Sequence, residues 1–355
     1  SRDVVTPGLR GSITDSDGTP LAMDKPGLVI TVDRSVIDKL PDKGDAVLNK
    51  VAKLVGKSFI DVWSGTRLCG ELPVEQRTGC WKGTRFQPIP VTSAATQAQA
   101  LKVLENADSY PGINALQIPV RSYPSTGGET GAHVLGYVGS VTETDLMNPD
   151  HRYYRDEVIG KTGLEYVFDS QLRGKAGIKT VIVDRKESVT EQTQNSKSYP
   201  GNNLVTNLNA KLQGATEKAL ESAVKRARSM GYRGDGGAAV VMDVKSGKIL
   251  AIASYPTYDL KIFQEGLTQA QAKALFSESN GVPALNRPLQ GMYAPASTFK
   301  SISVVAASAA GYNMNASYKC PASVKVGNRE FNNFETKSLG NINMQTAIAV
   351  SCDTI

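Results

Sequence analysis

From Asn209 to Met230 the chain repeats small and apolar residues at helical spacing, with Leu212, Ala215, Ala219, Ala223 and Ala227 near one face. Directly after it, "GAAVVMDVKSGKILAIASYP" reads as two apolar strands joined by a turn at Lys245 to Lys248. A polar, partly helical stretch follows. Then comes "GMYAPASTFKSISVVAASAAG", from Gly291 to Gly311, where Ser297 and Lys300 head a helix rich in small and apolar residues. Helix, hairpin and serine-headed helix, in that order, call for a mixed α and β domain beginning near residue 201.

The first 200 residues are organised differently. "GSITDSDGTPLA" is a hairpin signal with its turn at Asp15 to Gly18. "DRSVIDKLPDKGDAVLNKVAKLVG" carries helical periodicity up to Gly56, and "ATQAQALKVLENADSYPG" is a helix ending before Pro111. "NALQIPVRSYP" and "AHVLGYVGSVT" read as extended, separated by a Gly-rich loop at 126–131. "KTGLEYVFDSQLRGKAG" is a helix ending near Gly174, and "IKTVIVDRKE" is a strand. The polar, Gly- and Pro-punctuated "TEQTQNSKSYPGNN" makes a domain boundary. The division is therefore 1–200 and 201–355.

At 355 residues the chain is long enough for two cores. Its net charge of +6 comes without any basic run interleaved with aromatics, so nucleic-acid binding has no support. No segment approaches the roughly 18 consecutive apolar residues of a membrane span, and the polar start "SRDVVTPGLRG" is no signal peptide. A soluble or mature extracytoplasmic chain is expected. Cys69, Cys80, Cys320 and Cys352 match no zinc module, and no metal or cofactor is called for. Cys69 and Cys80 bracket a short stretch that a disulfide could close in an oxidising compartment. Cys320 and Cys352 either pair or are small buried hydrophobes.

Ser-x-x-Lys is a loose pattern, and Ser222 with Lys225 repeats it inside an ordinary amphipathic helix. What singles out Ser297 and Lys300 is position. A serine hydroxyl is a poor nucleophile without a base, and a lysine one helical turn on can reach back to it. To accept that proton near neutral pH the amine must be buried, which the apolar run after Lys300 predicts. A lysine in the first turn of a helix is otherwise poorly placed against the positive end of the dipole. Neither His133 nor His151 carries a triad signature.

Several blocks resemble the class B penicillin-binding proteins. Arg10, Gly11 and Ile13 with "TDSDGTPLA", "RSYP" at Arg121 to Pro124 with "AHVLGYVG", and "GKTGLEYVFDSQLRGKAG" with Gly163, Glu165, Arg173 and Gly174 are similar to segments of that family's non-catalytic pedestal. "AVVMDVKSGKILAIASYPTYD" looks like the first two strands of its transpeptidase domain, and "SCDT" like its second catalytic motif. The resemblance implies a serine β-lactamase-like transpeptidase fold, C-terminally incomplete here, behind an irregular α and β pedestal. The family's Lys-Thr/Ser-Gly triplet would lie beyond residue 355. The "KTG" at Lys161 to Gly163 precedes Ser297 and is expected to be structural.

The roles implied are Ser297 as nucleophile on a D-Ala-D-Ala stem peptide and as target of β-lactams, Lys300 as general base and Ser351 as proton relay. The Ser297 N–H would be one oxyanion donor. Asp353, at a substrate-binding position, departs from the Asn that most members carry. A carboxylate offers no N–H donor and, near Lys300, favours its ammonium form. Implied partners are a glycan polymerase and other division or elongation proteins, with a membrane anchor outside this sequence and an extracytoplasmic location. The alternatives are a D,D-carboxypeptidase or serine β-lactamase of the same fold, and a catalytically weak binding or morphogenetic protein.

Overall fold

The computed structural model describes the chain apart from residues 1, 7, 74–79, 82–87, 93–94, 125–130, 150–152, 155–156, 184–188 and 264–268. His151 and most of the Gly-rich loop at 126–131 lie outside the described residues. The chain divides into two compact units, Ser1–Gly291 and Met292–Ile355.

The first unit opens with the expected hairpin. The Asp15 carboxylate accepts from the Asp17 and Thr19 amides at 2.9 and 2.8 Å, closing a turn that Gly18 completes at φ +84°. The returning strand, Pro20–Val32, pairs antiparallel with Ile113–Ser122, from Met23 opposite Ser122 to Val32 opposite Ile113. The helix Asp45–Val55 buries Val47, Leu48, Val51 and Ala52, one face at helical spacing, and stops at Gly56 in the left-handed region. The helix Gln97–Glu105 starts on a reciprocal pair: Thr96 N donates to Gln99 Oε1, and Gln99 N to Thr96 Oγ1. Its Val103 joins Ile30, Val32, Leu48, Val51 and Ile113 in one core. Each such side chain contributes about 1.5–3 kcal/mol when fully buried.

Two stretches differ from expectation. Residues Ala132–Leu135 are a helical turn between two left-handed glycines, not extended chain, and they carry a buried His133. The polar stretch "TEQTQNSKSYPGNN" begins within a strand, Val189–Ser196, paired antiparallel with Gly177–Val183. The β-branched Val189, Thr190 and Thr193 give it strand propensity despite its polarity.

A second core in this unit collects Ile13, Leu21, Tyr123, Leu135, Leu172, Leu208 and Leu260, with Ile249 and Ile252 packed against it. Residues on both sides of position 200 thus share one core. The helix Ala210–Ser229, capped by Asn209, is tied to the strand Ile249–Tyr255 by the buried Gln213. Its amide donates to Ile252 O and accepts from Ile252 N, both at 2.8 Å, as a neighbouring strand would. Three distant sequence blocks meet in a buried ion cluster. Glu165, fully buried, takes Arg10 Nε at 2.6 Å and Arg121 Nε at 2.7 Å, and Asp169 takes Arg10 Nη1 at 2.7 Å.

The second unit runs through a short 3₁₀ turn, Ala296–Phe299, into the helix Lys300–Ala309. Strands Tyr318–Cys320 and Gly340–Ile342 pair antiparallel, as do Ser323–Val326 and Arg329–Asn332, and the helix Met344–Ala349 follows. Its core is small: Cys320, Ala347 and Cys352, with Ile342 against them. Both cysteine pairs are disulfides, Cys69 with Cys80 and Cys320 with Cys352.

Candidate active site

Ser297 and Lys300 open the second unit. Pro295 leads into Ala296, which sits at φ +48°, and the chain then tightens into the 3₁₀ turn that holds Ser297 before the α-helix begins at Lys300. The helix is not buried as its composition predicts. None of its ten residues is buried, and Ile302 and Val305 are 58% and 69% exposed. A unit of this size has too little core of its own to cover the face.

The Lys300 ammonium meets three oxygens, all from the Ser351–Asp353 turn. Nζ donates to Ser351 O at 2.6 Å and Ser351 Oγ at 2.8 Å, and pairs with Asp353 Oδ1 at 2.6 Å. Ser351 Oγ in turn donates to Ser297 Oγ at 2.8 Å. The expected direct contact between Lys300 and Ser297 is absent among the described residues. Ser351 stands between them, because the lysine side chain extends to the turn rather than back along its own helix.

That turn is a helix cap with an unusual occupant. After Met344–Ala349, Ser351 N donates to Ile348 O at 3.1 Å and Cys352 N to Ala347 O at 2.9 Å, the paired bonds of a Schellman motif. The position between them needs a left-handed residue and is usually glycine; here Ser351 holds it at φ +56°. An L-residue there costs roughly 1–2 kcal/mol. A glycine would carry no hydroxyl to stand between Ser297 and Lys300.

The lysine side chain is 20% exposed and the Asp353 side chain 40% exposed, so the pair is part-screened by solvent. The arrangement supplies a hydroxyl, a second hydroxyl in hydrogen-bond contact with it, and an amine in contact with the second. Such a row can carry one proton from the first oxygen to the nitrogen. The Ser297 N–H has no acceptor among the described residues and is free to donate elsewhere.

The other sequence candidates lie apart from this group. Lys161 pairs with Asp145 at 2.5 Å. Gly163 of the same "KTG" stands at φ +59°, where a Cβ would fall 2.6 Å from Gly136 N and Val134 O, so packing demands that glycine. Lys225 pairs with Glu221 on the surface. His133 Nε2 donates to Pro283 O at 2.7 Å, and burial first, then the Arg287 charge, pull its pKa down against that hydrogen bond. An open depression of about 580 Å³ in the first unit, lined by Arg228, Tyr232, Asp235 and Tyr255, carries no serine–lysine pair. Sequence reasoning missed Asn333, which is buried behind the turn and bonded to Asp353 N at 2.7 Å. Nothing local in "FNNFET" signals it.

Comparison with known proteins gives two domain matches. The penicillin-binding protein dimerisation domain matches residues 5–206, and the penicillin-binding protein transpeptidase domain matches residues 237–355. The chain is 30% identical to the peptidoglycan D,D-transpeptidase MrdA of Escherichia coli (strain K12), over 85% of this chain and 44% of that protein. It is 29% identical to penicillin-binding protein 3 of Bacillus subtilis (strain 168), over 82% of this chain and 38% of that protein. The chain thus spans about half the length, or less, of the curated relatives it matches. Among solved structures, penicillin-binding protein PBP2 of Helicobacter pylori in complex with MreC has a like fold, with TM-score 0.73 and 23% identity over 98% of this chain and 60% of that one. A structure described as structural coordination of polymerization and crosslinking by a peptidoglycan synthase complex has TM-score 0.63 and 27% identity, over 99% of this chain and 56% of that one.

Proposed function

The chain belongs to the class B penicillin-binding proteins, whose dimerisation and transpeptidase domains it matches in that order, and we propose that it cross-links peptidoglycan by acyl transfer through Ser297. The observation that carries this reading is the unbroken row Ser297 Oγ, Ser351 Oγ, Lys300 Nζ, each step 2.8 Å. With Lys300 as the free amine, Ser297 passes its proton to Ser351 Oγ while Ser351 passes its own to Lys300 Nζ. The Ser297 oxygen bonds to the carbonyl carbon of a D-Ala-D-Ala stem peptide, and the Ser297 N–H donates to the developing oxyanion. When the C–N bond breaks, the proton returns along the row to the leaving D-Ala amine. A stem-peptide amine then attacks the ester carbon and gives a proton to Lys300 through Ser351 Oγ; as the ester C–O bond breaks, that proton returns along the row to Ser297 Oγ and the cross-link is released. A β-lactam ring opens on the same oxygen and remains attached.

Residues 1–200 serve in this reading as the non-catalytic pedestal and residues 201–355 as the N-terminal part of the transpeptidase domain. Asp353 lies at the mouth of the row, exposed enough to meet substrate. The reaction belongs outside the cytoplasmic membrane, where its substrate is; two disulfides fit an oxidising compartment. Among the described residues no helix is long and apolar enough to cross a membrane. The solved complexes named above, one with MreC and one of a peptidoglycan synthase that couples polymerization to crosslinking, support partnership with a glycan polymerase and with a protein of the MreC kind. One observation favours a second reading, a catalytically weak binding protein: the Lys300 nitrogen is engaged by the Asp353 carboxylate at 2.6 Å.

The test is covalent labelling of the full-length protein with a β-lactam, read by intact mass beside Ser297→Ala. A persistent adduct lost in the variant supports the transpeptidase reading. A transient adduct points to a β-lactamase. Without any adduct, the weak-binding reading stands.

A further inference from the structure

Ser351 and Asp353 can serve only if the turn that carries them is held, and it is an unfavourable turn. Ser351 occupies a left-handed position without being glycine, and such residues persist where their surroundings over-determine them. The surroundings here are specific. Cys352, between the two functional residues, is bonded through its sulfur to Cys320 at the end of the strand Tyr318–Cys320. Thr354 donates its hydroxyl to Pro321 O at 2.8 Å. Asn333 closes the set, with four contacts from one buried side chain. Its Oδ1 accepts from Asp353 N at 2.7 Å, while Nδ2 donates to Pro321 O at 2.9 Å and Lys337 O at 3.1 Å and lies 3.0 Å from Cys320 Sγ. The amide can be oriented one way only, since the Asp353 N–H needs an acceptor and the two carbonyls need donors.

The cysteine sulfurs, Asn333 and Thr354 are all buried, so none faces substrate or solvent. A disulfide at 0% and 8% exposure is closed to exchange with thiols in solution and is suited to holding rather than switching. The loop from Asn333 to Lys337 is itself irregular, with Glu335 and Thr336 at φ +53° and +51°. The Asn333 amide therefore ties two strained segments to the Cys320–Pro321 strand end. Three partners, Cys320, Asn333 and Pro321, converge on three consecutive residues, Cys352 to Thr354, that directly follow the relay serine.

We propose that Asn333 and the Cys320–Cys352 disulfide are positioning residues for the active site: they fix the Ser351–Asp353 turn so that Ser351 Oγ bridges Ser297 and Lys300 and the Asp353 carboxylate meets the ammonium. The inference rests on the acyl-transfer reading above. Without the clamp, Ser351 relaxes out of the left-handed region, its hydroxyl leaves the row, and Asp353 releases Lys300. Asn333 and the disulfide are buried and touch no substrate themselves, so the loss falls on the chemical step more than on binding.

The full-length protein is compared with Asn333→Ala, with the double variant Cys320→Ser and Cys352→Ser, and with the milder Thr354→Val, each verified as folded by circular dichroism. Acylation by a fluorescent β-lactam is resolved into the non-covalent binding constant and the chemical step. The chemical step is expected to fall about tenfold in Asn333→Ala and in the cysteine pair, and about threefold in Thr354→Val, while binding changes by less than the chemical step. A merely structural loss would lower the active fraction and leave the rate of the remainder alone, and that result overturns the proposal, as does wild-type kinetics in folded Asn333→Ala. Hydrogen exchange at the Asp353 amide decides independently of labelling. Protection lost in Asn333→Ala supports the clamp, and unchanged protection overturns it even if the wild-type protein proves not to acylate, which would be a failure of the acyl-transfer reading instead.

Discussion

Replacing Asp353 by Asn tests how the ion pair at the site controls its chemistry. In the protein the Asp353 carboxylate contacts the Lys300 ammonium at 2.6 Å, with the side chains 40% and 20% exposed. A pair of unit charges about 4 Å apart is worth roughly 4 kcal/mol at an effective dielectric near 20. Open surface pairs deliver about 0.2–1 kcal/mol once screening and side-chain entropy are counted. The partial exposure places this pair near the upper surface value, about 1 kcal/mol. By the rate conversion of tenfold per 1.36 kcal/mol, that is about a fivefold effect on a rate. Asn keeps the shape and an accepting oxygen, removes the charge and adds an N–H donor. Asp353→Asn should therefore acylate about fivefold faster than the wild type at pH 7.5, because the Lys300 nitrogen is no longer held against a carboxylate. The assay is stopped-flow acylation by a fluorescent β-lactam at that pH. A rate within twofold of the wild type, or a slower one, refutes the electrostatic account.

Three further outcomes follow from the geometry. Ser351→Gly restores the residue that the cap prefers, so stability should rise by about 1 kcal/mol in denaturant unfolding, while acylation falls by about 10²–10³ as the relay is lost; a loss of both would mean the hydroxyl is a structural bond. Glu165→Gln leaves Arg10 and Arg121 buried with less charge to face, and should destabilise by about 3–5 kcal/mol; a change under about 1 kcal/mol would show the cluster is solvated. His133 is held below its ordinary pKa by burial. The unfolded chain therefore takes up the proton first, so its contribution to stability is intact above about pH 6.5 and declines as pH falls toward the folded-state value. The denaturation midpoint should drop between pH 7.5 and 5.5, and His133→Gln should flatten that slope.

What was legible in the sequence was local. The Asp15 turn, the cap at Asn209, the stop at Gly56 and the strands around Lys245 to Lys248 each depend on residues within about four positions of one another, and the chain states them directly. Where a short segment was ambiguous the reading failed. "AHVL" has too few residues to show a period, and it was Gly131 and Gly136, left-handed on either side, that made it a helical turn. The polar strand Val189–Ser196 failed for a related reason. Its partner, Gly177–Val183, supplies the ladder that its own composition does not advertise.

The site divides along the same line. Ser297 and Lys300 are three residues apart, and their position at the head of an apolar helix announced them. Their connection runs through Ser351, fifty-one positions on, and the sequence offers no rule that would carry a proton by way of that residue rather than across the single turn between them. The family resemblance named Ser351; it did not reveal that the lysine reaches forward to the later turn, or that the turn is a helix cap with serine in glycine's place. Asn333 is further out of reach, because its four partners come from Cys320, Pro321, Lys337 and Asp353, and no pattern along the chain links those positions. At the candidate site local preference is overridden twice, at Ala296, which precedes Ser297, and at Ser351, which donates to its hydroxyl, two non-glycine residues in left-handed conformation. Such a mark can be read only after the helix ends are known, since a serine is strained or relaxed according to the backbone it is given.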